Sequence, residues 1–264
     1  METEAMPDTV LIERDGPIVT VVINRPEKLN AINKMTWIAL GDAIEVLDAD
    51  DTVRCIVLRG AGDKAFSPGA DISEFETERV DRDKARAYNK TVERTIGTLD
   101  TCRHPTIALI KGVCVGGGLE AAAFCDMRFC GQSSKFGVPI KRLGLVMAYA
   151  ELRGLVNLVG RAKTLEILLE GQIFGADEAL RMGLVNRIVA DDKVEAECYA
   201  TARCVADGAP LVARFHKQAL RRLADPSPFS NEEIESGLDC YDSEDFNIGY
   251  RAFLDKITPE FKGR

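Results

Sequence analysis

Val113-Cys114-Val115-Gly116-Gly117-Gly118-Leu119-Glu120 sets three glycines between an apolar run and a helix-forming segment. Upstream, Thr106-Ile107-Ala108-Leu109-Ile110 has the length and composition of a buried strand, and downstream Leu119 to Phe124 reads as the start of a buried helix. The glycines therefore mark a strand-to-helix turn. The first amides of a helix lack intrahelical acceptors and sit at the positive end of its macrodipole. Glycine lets a ligand carbonyl approach that backbone, and Glu120, in the first turn, sets a carboxyl beside the donors. Turns of this kind also occur as plain structure, with the Glu only partnering the dipole, so the rest of the chain must decide whether this one is chemical.

Working outward, the chain reads as α/β. Val10–Glu13 and Ile18–Ile23, joined by Asp15-Gly16-Pro17, form a hairpin of β-branched residues. Trp37, Leu40, Ile44 and Leu47 recur at helical spacing between Asn33 and Asp48, and Val53–Leu58 returns to a strand. A loop follows from Gly60 to Asp71, with a helical turn at Ile72–Phe75. A second helix, Asp83–Leu99, carries Tyr88, Val92, Ile96 and Leu99 on one side. Two short strands, Met127–Cys130 and Lys135–Val138, come after the glycine turn. Beyond Glu151 the pattern is helical, near 152–158, 161–170, 176–182, 193–207, 209–223, 231–240 and 244–254, punctuated by Gly171, Gly175, Gly183 and Pro210. The division expected is a β-rich core over 1–190 and a helical region over 191–264.

Composition removes several function classes. A net charge of −8 over 264 residues opposes a general affinity for nucleic acid or anionic membrane. The eight cysteines contain no Cys-x-x-Cys pair, and His104 and His216 neighbour no ligand cluster, so no metal site is expected. Free thiols, an N-terminus Met1–Asp8 without the pattern of an export signal, and no apolar run of membrane-spanning length point to a cytoplasmic protein. Cys114 reads as core in an apolar strand, and no Gly-Lys-Ser/Thr follows the glycines to make a phosphate loop. What remains is an acid beside backbone amides.

Five stretches in order resemble the crotonase superfamily, the enoyl-CoA hydratase/isomerase group, over nearly the whole chain: Asn24–Ala31, Ala65–Ile72, Gly116–Glu120, Ala176–Val185 and Ala252–Lys256. The resemblance implies a spiral of repeated ββα units with a helical C-terminal trimerisation region, assembled as a homotrimer or a dimer of trimers. It implies an acyl-CoA substrate, with coenzyme A as part of that substrate and no prosthetic group. The amides of Ala70 and Gly117 would bind the thioester oxygen and stabilise an enolate. Glu120 would act as acid/base. Lys28, Leu29 and the loop Ala70-Asp71-Ile72-Ser73 would line the CoA channel, while Phe253 and Lys256 would reach CoA on a neighbouring subunit.

Hydratases of this family pair the first glutamate with a second after Phe-Gly-x-Pro, and here Phe136-Gly137-Val138-Pro139 is followed by Ile140. The next segment, Met147-Ala148-Tyr149-Ala150-Glu151, replaces a Gly-rich turn and should be more regular, with Tyr149 and Glu151 as candidates to supply the missing acid or base. Swapping a carboxylate for isoleucine removes charge repulsion yet adds desolvation, so no direction follows for the pKa of Glu120. The expectation is an enoyl-CoA hydratase-like enzyme, a lyase. Its rivals are an isomerase, an acyl-CoA decarboxylase or a thioesterase on the same scaffold, and a non-catalytic CoA-thioester-binding protein.

Overall fold

The computed structural model describes residues 9–264; the N-terminal stretch read for an export signal lies outside them. The strands are β1 (Val10–Asp15), β2 (Ile18–Ile23), β3 (Cys55–Gly60), β4 (Ala65–Ser67), β5 (Thr106–Ile110), β6 (Val113–Val115), β7 (Met127–Gly131), β8 (Lys135–Gly137), β9 (Phe174–Gly175) and β10 (Arg187–Val189). The helices are α1 (Lys34–Asp48), α2 (Phe75–Glu78), α3 (Arg82–Thr101), α4 (Gly117–Ala123), α5 (Tyr149–Glu170), α6 (Ala176–Arg181), α7 (Val194–Ala206), α8 (Pro210–Arg222), α9 (Asn231–Glu235) and α10 (Glu244–Asp255).

Two sheets share the strands, one ordered β1-β2-β3-β5-β7-β10 and the other β4-β6-β8-β9. Chain order explains the pairing. After the antiparallel β1-β2 hairpin, each turn of the chain lays one strand in the large sheet, the next in the small sheet, then a helix. The sets β3-β5-β7 and β4-β6-β8 are each parallel, so successive ββα units stack as a spiral.

Strand periodicity splits the core. Val19, Val21, Ile23, Ile56, Leu58, Ala108 and Ile110 face the main core with the apolar sides of α1 and α3. The alternating residues Ile18, Cys55, Val57, Ile107 and Leu109 face α7 through Val194, Cys198 and Ala202. Covered on both faces, these strands read as continuous apolar runs. Thr20 lies on the α7 side, where its Oγ1 meets the Tyr199 hydroxyl at 2.7 Å.

Helix limits follow local chemistry. Asn33 caps α1, its side chain accepting from the Thr36 amide at 2.8 Å, and Asp81 caps α3. The two segments read at 152–158 and 161–170 are two helical stretches within the span of α5, separated at Gly160, whose φ of 72° breaks the helical path. The helix read over 231–240 ends at Glu235 and tightens into a 3-10 segment, Ser236–Asp242. β4 lies inside the stretch read as loop, and β6 follows Ile110 after only Lys111 and Gly112.

Helices α8 to α10 bury little of their apolar surface, leaving Phe215, Leu220, Phe246, Phe253 and Leu254 among the exposed side chains. Among the described residues, no helix is long and apolar enough to cross a membrane, and no group of His, Cys, Asp and Glu could hold a metal ion. None of the cysteines is in a disulfide; six of the eight are buried, Cys240 is partly covered, and Cys204 is exposed on α7.

Candidate active site

The glycine turn is the floor of the site. β6 delivers the chain to Gly116, whose φ of 51° redirects it into α4. The loop after β4 lies directly on top: a Cβ on Gly118 would stand 2.5 Å from the Ser67 carbonyl oxygen, and one on Gly69 would stand 3.0 Å from the Gly117 nitrogen. Small residues on both sides let the two backbones touch.

That contact brings two amides together. Ile32 donates to the Gly69 carbonyl at 2.7 Å and accepts from the Asp71 amide at 3.0 Å, using the groups that flank Ala70. The Ala70 N–H points the other way, and the position of a Cβ on Gly117 lies 3.6 Å from the Ala70 nitrogen. Gly117 opens α4, so its own N–H lacks an intrahelical acceptor. Neither amide donates to a protein group among the described residues.

Both face a cavity of about 320 Å³ whose wall includes Ala70, Ile72, Gly117, Glu120, Ile140 and Glu151. Glu120 and Glu151 are each 8% exposed. Glu120 comes from the first turn of α4 and Glu151 from the first turn of α5, where one carboxylate oxygen accepts from the Ala148 amide at 2.6 Å. The opposing effects expected at Glu120 resolve upward. Burial, reinforced by the neighbouring Glu151 charge, pushes its carboxyl up to about 8, against a smaller pull from the Arg79 guanidinium. Burial also raises Glu151, while the Ala148 amide and Arg79 hold it down. A pair so arranged titrates as a unit.

Other expected residues lie elsewhere. Tyr149 does not project into the cavity: it is 93% exposed on the outer side of the first turn of α5, because Glu151 takes the inward position. Asp71 is engaged by neighbouring side chains. It pairs with Arg25 at 2.9 Å, accepts from the Ser73 hydroxyl at 2.7 Å, and so ties the Asn24–Ala31 loop to the Ala65–Ile72 loop. Lys28 and Leu29 sit on an exposed turn outside the cavity wall, as does Ser73. Phe253 and Lys256 end α10, with Phe253 83% exposed. Periodicity had placed Trp37, Tyr88 and Val92 in the core, and they also line the cavity; Phe75, Arg79 and Met147 join them without any motif to announce them. Burial pushes the Tyr88 hydroxyl up to about 12.

The pattern of the enoyl-CoA hydratase/isomerase family matches residues 13–264. The chain is 32% identical to the short-chain-enoyl-CoA hydratase of Clostridium acetobutylicum, over 97% of this chain and 99% of that one. It is 30% identical to the crotonyl-CoA hydratase of Syntrophomonas wolfei, over 96% and 98% of the two chains. A crystal structure described as an enoyl-CoA hydratase/carnithine racemase from Magnetospirillum magneticum superposes with a TM-score of 0.96 at 46% identity, covering 98% of this chain and 97% of that one. The fold is therefore that of the crotonase superfamily. The chain belongs to the enoyl-CoA hydratase/isomerase family, within which it is a hydratase-like enzyme of the lyase class, and an acyl-CoA substrate is consistent with that membership.

Proposed function

We propose that the enzyme adds water to an α,β-unsaturated acyl-CoA, with Ala70 and Gly117 holding the thioester oxygen and Glu120 and Glu151 sharing the proton work. The observation that carries this reading is the pair of unpartnered amides meeting beside two buried carboxyls at one cavity. Burial keeps Glu120 protonated at neutral pH, while the Ala148 amide and Arg79 favour loss of the proton from Glu151 first. Glu151 then takes a proton from water as the water oxygen bonds to the β-carbon. The π electrons move to the thioester oxygen, where the two amides meet the enolate charge, and Glu120 delivers its proton to the α-carbon. Exchange between the two carboxyls restores the starting state. Each amide of such an oxyanion site contributes about 2.7–4 kcal/mol to the transition state.

In this reading Glu151 takes the part that Ile140 cannot. Residues 1–190 carry the site and 191–264 the oligomerisation region, a homotrimer or dimer of trimers covering the apolar surface of α8 to α10 and bringing Phe253 and Lys256 to a neighbour's CoA. Lys28, Leu29 and Ser73 border the channel outside the acyl cavity. A cytoplasmic setting belongs to the same reading, supported by cysteines that form no disulfide.

The test is turnover of but-2-enoyl-CoA in heavy-oxygen water, followed by mass spectrometry. Wild type is expected to give a product heavier by one labelled water. Glu120→Gln is expected to slow it at least a hundredfold, in the range that a positioned acid/base contributes. An unlabelled product, or full activity in Glu120→Gln, would overturn the hydration scheme.

A further inference from the structure

In the hydration scheme Arg79 acts only at a distance, through its charge on the two carboxyls, and its own hydrogen-bonding face is left unused. It follows α2, and its guanidinium lies 4.8 Å from the centroid of the Phe75 ring and 4.4 Å from that of Tyr88. Among the described residues, a long hydrogen bond of 3.4 Å to Asn89 is its one side-chain hydrogen bond. All three of Phe75, Arg79 and Tyr88 line the cavity with Glu120 and Glu151. Among the described residues no carboxylate comes within ion-pair reach of Arg79, although most arginines of the chain have one.

A guanidinium half-buried against an apolar wall is stabilised by a counter-charge beside it. The rings hold it in place through their faces, but they do not neutralise it. The two acids of the cavity lie beyond pairing distance, and Glu120 is uncharged at neutral pH. Arg142, exposed on the same wall, also has no acid partner among the described residues. The wall thus has more fixed positive than negative charge at neutral pH. Elsewhere it is apolar, through Trp37, Ile72, Val92, Ile140, Leu145 and Met147. A planar, multi-donor cation fixed in such a wall suits a carboxylate better than an alkyl end.

We propose that Arg79 determines specificity by binding a carboxylate at the end of the acyl group remote from the thioester, so that the substrates are CoA thioesters of unsaturated dicarboxylic acids. This rests on the hydration reading for the position of the thioester. Glutaryl-CoA and butyryl-CoA, saturated and unreactive to water addition, separate binding from turnover; free CoA separates the acyl carboxylate from the CoA phosphates.

Calorimetric titration of the full chain with each is expected to show wild type binding glutaryl-CoA at least tenfold more tightly than butyryl-CoA. In Arg79→Met that ratio falls to near one, and in Arg79→Lys it recovers in part, because the charge returns without the fork. No preference in wild type, an unchanged ratio in Arg79→Met, or a loss shared equally by free CoA would overturn the proposal. Turnover of pent-2-enedioyl-CoA and but-2-enoyl-CoA is followed alongside. If neither reacts while the glutaryl preference holds, the hydration reading fails and the role of Arg79 stands.

Discussion

One wall of the cavity, residues 114–125, is buried along its whole length, whereas the facing wall, residues 140–151, exposes Leu143, Val146 and Tyr149 and buries only Met147 and Glu151. The first is held by backbone against backbone, with Gly118 where a Cβ would collide with Ser67. The second is a 3-10 turn, Ile140–Leu143, an irregular stretch, and the start of α5. Donors that must meet a developing charge lose their value if they have to reorganise, so Gly117 on the buried wall, and Ala70 on the loop packed against it, suit that task. The shape of the acyl end can vary without disturbing them. On this second wall the start of α5 brings the carboxyl of Glu151 into the cavity.

That contrast can be broken from either side. The largest effect is expected from Glu151→Gln, which should lower kcat by about 10²–10⁴-fold while leaving the fold intact. Its pH profile is the sharper readout. Wild-type activity should fall as pH rises through about 8, where Glu120 loses its proton, and also toward acid as Glu151 gains one. Because the Glu151 charge raises Glu120, the variant should lose the acid limb and show the alkaline limb at lower pH. A profile identical to wild type would remove Glu151 from the proton path.

On the buried wall, Gly118→Ala should cost about 2–4 kcal/mol of stability in urea unfolding, because its Cβ would fall 2.5 Å from the Ser67 carbonyl and 2.7 Å from the Ser67 side chain. Unchanged stability would mean that the two backbones separate easily, contrary to the packing described.

Glu120→Gln should do the reverse. The folded-state pKa of about 8 lies above the ordinary 4.5, so the folded protein holds this proton more tightly between those values. Wild-type stability from this group is therefore fully present below about 4.5 and lost as pH rises toward about 8. Glutamine has no proton to lose. The variant should gain on wild type by up to about 4 kcal/mol at pH 8 and by nothing near pH 4, as thermal melts at the two pH values would show. An equal difference at both would mean that Glu120 titrates normally.

The smallest effect belongs to the outer side of the 140–151 wall, where Tyr149→Ala should change stability and turnover by less than about 0.5 kcal/mol. A larger loss would show that the hydroxyl reaches the substrate.

Much of this was legible in the chain because burial leaves a period. Trp37, Leu40, Ile44 and Leu47 on α1, and Tyr88, Val92, Ile96 and Leu99 on α3, are all buried at the spacing read from sequence. β4, β9 and β10 span two or three residues, too few for alternation to register. Periodicity reports that a side chain is covered without saying by what, so Trp37 and Tyr88 read as core although they also border the cavity. Glu151 was one of two candidates only because the phase of α5 decides which residue turns inward, and the intervening loop hides that phase. Arg79 sits among charged neighbours in Glu74–Lys84, where nothing local distinguishes a cation stacked between rings from one in water.

The cysteine distribution offers a practical handle. With six thiols enclosed and Cys240 partly covered, a maleimide fluorophore should attach first at Cys204, on the face of α7 turned away from the sheet. A dye placed there would report tumbling and self-association by its anisotropy while leaving every residue of the acyl cavity chemically untouched.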